Sequence, residues 1–180
     1  MKYYTADTHF GHNNVIGFDD RPFANTQEMD RFMIDAWNSR VKDDDEVYIV
    51  GDFMYRSEHS VEYYAKQLNG RKYLILGNHD KLTPEDERCF AGIEKMMHVC
   101  DYYEGRAQQI CLCHFPIAEW NGYKRGHYHI YAHIHNQDND TYRFMKNRAH
   151  ALNAGCMINN YIPVTFGELV ENNEVFKREH

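Results

Sequence analysis

Short apolar runs alternate with helix-like segments through the first half of the chain, and this alternation limits the fold more than any other feature. Strands are expected over residues 3–6, 47–50 and 73–76. Between them, apolar side chains recur with helical spacing from Met29 to Trp37, behind an Asn25–Glu28 capping box. A second helix is expected over residues 58–68, ending at Asn69-Gly70. Strands separated by helices predict an α/β fold with parallel strands.

The second half of the chain is richer in strands. We expect them over residues 96–103, 108–113, 128–132 and 152–154, with Glu104-Gly105 as a hairpin turn. Thr165 and Glu168 form a capping box that opens a short helix, and residues from about 171 to 180 read as a flexible tail. The 180 residues therefore predict a single α/β domain with layered mixed sheets.

Composition excludes several classes of protein. A formal net charge of −7 disfavours a duplex nucleic-acid binder, which needs a basic face, and a peripheral binder of anionic membranes. No stretch approaches the roughly 20 apolar residues of a membrane span, and no apolar leader follows the N-terminus. The five cysteines include no Cys-x-x-Cys pair, which favours buried thiols in a reducing compartment. We therefore expect a cytoplasmic protein without membrane partners.

Residues of the types that bind metals follow five of the predicted strands. They are Asp7 and His9, Asp52, Asn78 and His79, His114, and finally His133 and His135. In open α/β sheets, ligands bind beyond the carboxyl ends of the strands. Asp7 and His9, like His133 and His135, are two residues apart, so both side chains face one side of an extended backbone. Mixed carboxylate, imidazole and amide donors suit manganese, iron, nickel, cobalt or zinc rather than calcium.

In order and composition these motifs resemble those of the calcineurin-like metallophosphoesterase superfamily. They occur as Asp7-x-His9, Gly51-Asp52, Gly77-Asn78-His79-Asp80, His114 and His133-x-His135. The segments 7–12, 21–23, 153–155, 159–160 and 163–164 are similar to those of small single-domain bacterial and phage members. The resemblance implies a layered sandwich of two mixed sheets flanked by helices, with the active site at the carboxyl ends of the strands.

The same resemblance implies a dinuclear metal centre. Its two divalent ions would be manganese first, with iron, nickel, cobalt or zinc as alternatives. One ion would be held by Asp7, His9, Asp52 and His135, and the other by Asp52, Asn78, His114 and His133. Asp52 would thus bridge the two. His79 would be the general acid or would only orient a ligand, and Arg56 would bind phosphate or pair with Glu58 on the surface.

The implied function is hydrolysis of a small phosphoester, by a phosphodiesterase rather than a protein phosphatase. A metal-activated hydroxide would attack phosphorus while His79 protonates the leaving oxygen. Two features depart from the family pattern. Ala132 replaces the glycine that usually precedes the last motif, and Tyr55 stands where some members place an aspartate that orients the catalytic histidine.

Other interpretations stay open beside this one. They are a catalytically weak binding or scaffold protein on the same fold, and a nuclease for short or single-stranded nucleic acid. A metallo-β-lactamase is rejected because Asp138 falls one place late and no histidine follows it. Arg21 is a substrate contact or a loop anchor, His12 faces the site or caps the following loop, and loop 119–127 is a pocket wall or a hairpin tip. The sequence assigns no oligomeric state.

Overall fold

Eight strands form two four-stranded sheets in a computed structural model that describes residues 1–180. The first sheet has the order β1 (Lys2–Thr5), β2 (Glu46–Ile49), β3 (Arg71–Ile75) and β4 (Gly92–Glu94), and all its strands are parallel. The second has the order β5 (Met96–Tyr103), β6 (Arg106–Cys113), β7 (Tyr128–Tyr131) and β8 (Ala151–Asn153). It is mixed, because β5 and β6 are antiparallel and the other pairs are parallel.

Six α-helices accompany the sheets. They are α1 (Asn13–Phe18), α2 (Thr26–Arg40), α3 (Val61–Ala65), α4 (Pro84–Glu87), α5 (Asp140–Lys146) and α6 (Phe166–Glu179). The side chain of Asn25 accepts the Glu28 N–H and caps α2, and Thr165 and Glu168 form a full capping box on α6. None of the helices combines the length and apolar character that crossing a membrane requires.

Successive residues on a strand pack into different layers because they point to opposite faces of the sheet. Tyr4 on β1 packs toward the second sheet, in a core with Ile75 and Ile130, while Tyr3 faces Met33 and Trp37 of α2. A third cluster covers the outer face of the second sheet and contains residues of α5 and α6. Both sheets are therefore covered on both faces, which explains the nearly continuous apolar runs of the parallel strands. The predicted layered α/β fold is confirmed, but the expectation of two mixed sheets is wrong for the first sheet, whose strands are all parallel.

The expectation of a flexible tail from about residue 171 is wrong. Helix α6 runs through to Glu179, and its side chains of Asn173 and Phe176 are buried. Asn173 accepts the backbone N–H of Asn153 and donates to the carbonyl of the same residue. An asparagine thus occupies the buried stripe of this helix where an apolar residue would have revealed the helical period.

The remaining differences concern boundaries and short elements. The helix expected over 58–68 is shorter, since Ser60 caps α3 and the regular helix covers only Val61–Ala65. Helices α1 and α5 and the short strand β4 are additional, and the ends of the predicted strands move by one or two residues. The hairpin turn is confirmed: Glu104 and Gly105 both have positive φ, 49° and 74°, as a two-residue turn between twisted strands requires.

Candidate metal centre

The carboxyl ends of the parallel strands meet at one edge, where consecutive loops pair with each other. The N–H of Asp7 donates to the carbonyl of Gly51 at 3.0 Å, and that of His9 donates to Asp52 at 3.0 Å. In the second sheet, the N–H of Ala132 donates to the carbonyl of His114 at 2.9 Å. These bonds extend each of the two sheets beyond its last strand residues, so the polar side chains that follow the strands project into one site.

The first predicted ligand set is assembled. Donor atoms of Asp7, His9 and His135 all lie within 4.8 Å of one another. The Nε2 atoms of His9 and His135 are 3.3 Å apart, and Nε2 of His135 lies 4.0 Å from Oδ1 of Asp7. Asp7 and His9 are almost completely buried. The fourth predicted member, Asp52, places Oδ2 3.7 Å from Nε2 of His9.

The second predicted set adjoins the first. Nε2 of His114 lies 3.5 Å from Oδ2 of Asp52 and 3.1 Å from Oδ1 of Asn78. Nδ1 of His133 lies 2.9 Å from the same amide oxygen of Asn78. Since Oδ2 of Asp52 faces both His9 and His114, this single carboxylate oxygen stands between the two sets. That is the position that a bridging ligand needs.

The tautomers of two histidines leave electron pairs that point into the site. The Nδ1–H of His114 donates to the carbonyl of Val50 at 2.9 Å, and that of His135 donates to Oδ1 of Asp19 at 2.7 Å. In each neutral ring, Nε2 is then an acceptor that faces further acceptors: Asn78 for one, Asp7 for the other. His9 faces the same cluster with its Nε2, while its Nδ1 is buried and has no hydrogen-bond partner. Closely spaced lone pairs of this kind fit divalent cations.

Burial shifts the ionisation of both residues of the first motif. It raises the pKa of the Asp7 carboxyl to about 6, although His135 and His114 act in the opposite direction. It also lowers the pKa of His9 far below its ordinary value, and the nearby His135 lowers it further. The pocket therefore disfavours an uncompensated negative charge on Asp7 and keeps the His9 imidazole neutral, which is the form that binds a metal.

Five of the seven predicted ligands have left-handed backbone conformations, which are uncommon outside glycine. Their φ angles are 51° for Asp7, 50° for His9, 53° for Asp52, 72° for His133 and 53° for His135. Such strain clusters at functional sites, where the surrounding structure holds it in place.

Two glycines make close approach possible. A Cβ at Gly51 would lie 2.3 Å from Nδ1 of His114, and a Cβ at Gly77 would lie 2.3 Å from Oδ1 of Asp52. Neither position therefore has room for a side chain.

The last residue of the third motif, Asp80, fastens the loops that follow β2 and β3. Its Oδ2 accepts the N–H groups of Asp52 and Gly77, each at 2.8 Å, and its Oδ1 accepts that of Phe53 at 2.9 Å. The sequence placed Asp80 in the motif but gave it no role. Its position within Gly-Asn-His-Asp is the only sequence signal that it belongs to the site.

Arg21 is a loop anchor, and Asp19 belongs to the site although sequence reasoning missed it. Arg21 is buried, and its guanidinium donates to Asp19 and to two backbone carbonyls beside the first motif. Asp19 in turn accepts from His135. Asn153 adds a further support, since its amide donates to the carbonyl of His135 at 2.7 Å.

His79 stands at the open side of the site. Its side chain is 31% exposed, and Nε2 lies 4.0 Å from Oδ2 of Asp52. The ring of Tyr55 packs against it with centroids 3.9 Å apart, and the ring of His12 also packs against Tyr55, with centroids 4.9 Å apart. The aspartate expected from some family members is thus replaced by an aromatic contact.

Arg56 and His12, for which the sequence leaves two roles each, both lie near His79. The Arg56 guanidinium lies over the Tyr55 ring at 5.1 Å instead of pairing with Glu58. Arg56 and His79 both line a cavity of about 220 Å³, which lies beside the metal-ligand cluster and is lined by none of the seven predicted ligands. His12 precedes α1 as its N-cap residue, but its side chain makes no capping bond and packs 5.6 Å from the His9 ring.

Loop 119–127 is not a hairpin tip, because it lies in the connection from β6 to β7 and these two strands are parallel. Trp120 is buried and donates its indole N–H to the carbonyl of His127 at 2.8 Å. His129, on β7, is buried and bonded at both ring nitrogens, to the carbonyl of Cys111 and the N–H of Ile117. It is a core histidine.

A sequence relative that matches most of the chain states no activity. No protein-family model matches the sequence. The chain is 32% identical over 171 residues to the uncharacterized protein MJ1445 of Methanocaldococcus jannaschii, covering 94% of this chain and 89% of that protein. It therefore belongs to the same family as MJ1445.

Phage proteins and a solved structure are also similar. The gene 66 protein of Mycobacterium phage D29 is 28% identical over 130 residues, 64% of each chain. The crystal structure of the protein of unknown function AQ665 from Aquifex aeolicus matches with a TM-score of 0.68 and 25% identity, over 91% of this chain and 94% of that one. Any functional proposal therefore depends on the site itself.

Proposed function

We propose that this protein is a two-metal phosphoesterase of the calcineurin-like metallophosphoesterase type, and that it hydrolyses phosphodiesters. The observation that carries the proposal is the juxtaposition of two ligand sets around Oδ2 of Asp52, 3.7 Å from Nε2 of His9 and 3.5 Å from Nε2 of His114. Two adjoining ion sites that share a carboxylate are the arrangement that in-line displacement at phosphorus uses.

The donor set fits divalent transition metals. Asp7, His9, Asp52 and His135 would hold one ion, and Asp52, Asn78, His114 and His133 the other. The nitrogen and oxygen donors suit manganese, iron, nickel, cobalt or zinc. Such ions would supply charge neutralisation on the phosphoryl group and a nucleophile from water at neutral pH.

His79 is the proposed proton donor. Its backbone, in the loop after β3, is held by the loop after β2, since its N–H donates to Oδ1 of Asp52 at 2.9 Å. The ring is packed against Tyr55, and Nε2 faces the open site next to Asp52. In the imidazolium form, Nε2–H would be transferred to the ester oxygen as its bond to phosphorus breaks. Tyr55 would act by holding the ring in place.

Arg56 is the proposed phosphate contact. It lines the same cavity as His79, and its cationic group stacks on Tyr55. Arg56 itself has a left-handed backbone, with φ 48°. A guanidinium here would donate to the non-bridging oxygens of the substrate and offset their charge as it develops.

The charge of the chain bears on the choice of substrate. A net charge of −7 disfavours long duplex nucleic acids, whose binding depends on neutralising many phosphates. Small phosphoesters, and short or single-stranded nucleic acids, meet no such barrier.

The test is hydrolysis of bis-p-nitrophenyl phosphate and p-nitrophenyl phosphate by the purified protein with Mn²⁺, Ni²⁺ or Zn²⁺, together with metal analysis of the protein as isolated. We expect metal-dependent turnover that favours the diester. Asp45→Asn, at the opposite end of β2 from the site, is the matched control and should retain activity. Binding of metal with both substrates at background would overturn the proposal in favour of a binding protein on this fold.

A further inference from the structure

A buried ion pair lies behind the first ligand set, in the loop between α1 and α2. Asp19 and Arg21 are two residues apart, and both side chains have 0% exposure. Nε and Nη2 of Arg21 donate to Oδ2 of Asp19 at 3.0 and 2.9 Å. Burying two charges gains little stability by itself, because desolvation offsets their attraction. The role of the pair therefore lies in the other hydrogen bonds that Asp19 and Arg21 make.

The second oxygen of Asp19 reaches the proposed metal ligand His135. Oδ1 accepts Nδ1–H of His135 at 2.7 Å, across 116 positions of sequence. This bond fixes the ring orientation and holds the proton on Nδ1, which leaves the Nε2 lone pair pointing toward Asp7 and His9. The Asp19 carboxylate thus uses one oxygen for Arg21 and the other for His135.

The remaining N–H groups of Arg21 reach the strand end that carries the other two members of the set. Nη1 donates to the carbonyl of Thr8 at 2.9 Å, and Nη2 donates to that of Asp7 at 2.8 Å. Asp7 and His9, on either side of Thr8, have left-handed backbones. The Arg21 guanidinium therefore stabilises the strained backbone of the first motif through two carbonyls, and it also holds the carboxylate that orients His135.

We propose that Asp19 and Arg21 are positioning residues that assemble the Asp7–His9–His135 set before an ion arrives. The inference rests on the proposed function only in taking this set as a metal site. Carboxylates that hydrogen-bond a metal-ligating histidine are typically worth 10–100-fold in metal affinity. The Asp52–Asn78–His114–His133 set lacks this support, since the outer nitrogen of His114 bonds to the backbone carbonyl of Val50.

Metal titration by calorimetry on the full chain tests the proposal. With Mn²⁺ or Co²⁺, Asp19→Ala should weaken the tighter binding step by about 10–100-fold. Asp19→Asn should recover part of the loss, because its amide oxygen can still accept from His135. Arg21→Lys keeps the charge but cannot span the same acceptors, so it should also weaken binding. Asp45→Ala is the matched control, a buried carboxylate far from the set, and should bind metal as the wild type does.

A second readout needs no metal. The Nδ1–H of His135 should give a downfield proton resonance in the wild-type protein, and Asp19→Ala should remove that resonance while circular dichroism shows an intact fold. Unchanged Mn²⁺ affinity and an unchanged Co²⁺ absorption spectrum in folded Asp19→Ala would overturn the inference. Should the wild type bind metal and hydrolyse no phosphoester, the proposed function would fail while this inference stands. If the wild type hydrolyses phosphodiesters and Asp19→Ala does not change metal affinity, this inference would fail while the proposed function stands.

Discussion

The backbone N–H of His79 donates a hydrogen bond to Oδ1 of Asp52 at 2.9 Å, joining the loops after β2 and β3. The bond occupies one oxygen of the carboxylate and leaves Oδ2 to face His9 and His114. The proposed bridging ligand and the proposed acid are thereby held at a fixed separation. They can nevertheless be tested separately, because one acts through its charge and the other through a transferable proton.

Asp52→Asn should abolish turnover and weaken both ions. The amide keeps the size of the side chain and the acceptor for the His79 N–H, but loses the negative charge shared by both sets. We expect metal affinity to fall at least roughly 10-fold and the rate at least roughly 100-fold. Calorimetry with Mn²⁺ and diester hydrolysis measure the two effects, with Asp45→Asn as the control. Full activity in Asp52→Asn would contradict the bridging role.

His79→Asn should leave metal binding intact and slow hydrolysis. Loss of a general acid typically costs 10²–10⁴-fold, and the loss is greatest when the leaving group is a poor one. The variant should therefore be impaired far more on an alkyl phosphodiester than on bis-p-nitrophenyl phosphate. An equal loss on both substrates, or a loss of bound metal, would instead indicate that His79 orients a ligand.

The core histidine at position 129 should make stability depend on pH. Burial lowers the pKa of His129 from 6.5 to about 4. Between these pH values the unfolded chain binds a proton at this histidine and the folded chain does not. The free energy of unfolding is therefore highest above pH 6.5 and falls as the pH drops toward 4. The loss from this residue is about 3 kcal/mol.

Urea unfolding across this range should show the effect. His129→Gln should flatten the fall in the free energy of unfolding below pH 6.5, whereas His98→Gln, at an exposed residue, should not. An unchanged pH dependence in His129→Gln would show that other groups cause the acid instability.

Asn173→Ala should destabilise the fold although it lies near the C-terminus. Its side chain bonds to the N–H and carbonyl of Asn153 and to the carbonyl of Leu169, and all three partners would lose a buried hydrogen bond. We expect a loss of about 1–3 kcal/mol in the free energy of unfolding. Glu174→Ala, exposed on the same helix, is the control and should change little. Equal free energies of unfolding in the two variants would mean that the buried hydrogen bonds of Asn173 do not stabilise the fold.

The sequence identifies residues whose position follows from strand order. Asp7, Asp52 and His114 come directly after apolar runs, and parallel strands bring their carboxyl ends to one edge, so their meeting could be predicted. Asp19 could not, because its bond to His135 joins segments 116 positions apart and depends on how the loop after α1 folds back. Nothing in the residues around Asp19 encodes that path.

The fold shows the same division. The apolar period of α2 predicts that helix along its length, whereas the capping box predicts only the start of α6, because a buried asparagine interrupts the apolar period of its inner face. Tyr55 occupies a position where a carboxylate was a reasonable expectation, and its aromatic contact with His79 depends on side-chain packing. Local propensity carries no information about such contacts.

Asp80 ties three backbone amides from two loops to a single carboxylate. The two turns are consequently held together, and the distance from the proposed bridging oxygen to the proposed proton donor is set during folding. Differences in substrate shape would then be accommodated near His133, which is open to solvent on the separate loop after β7. A catalyst built in this way would be strict about the bond it breaks and tolerant of what is attached to it.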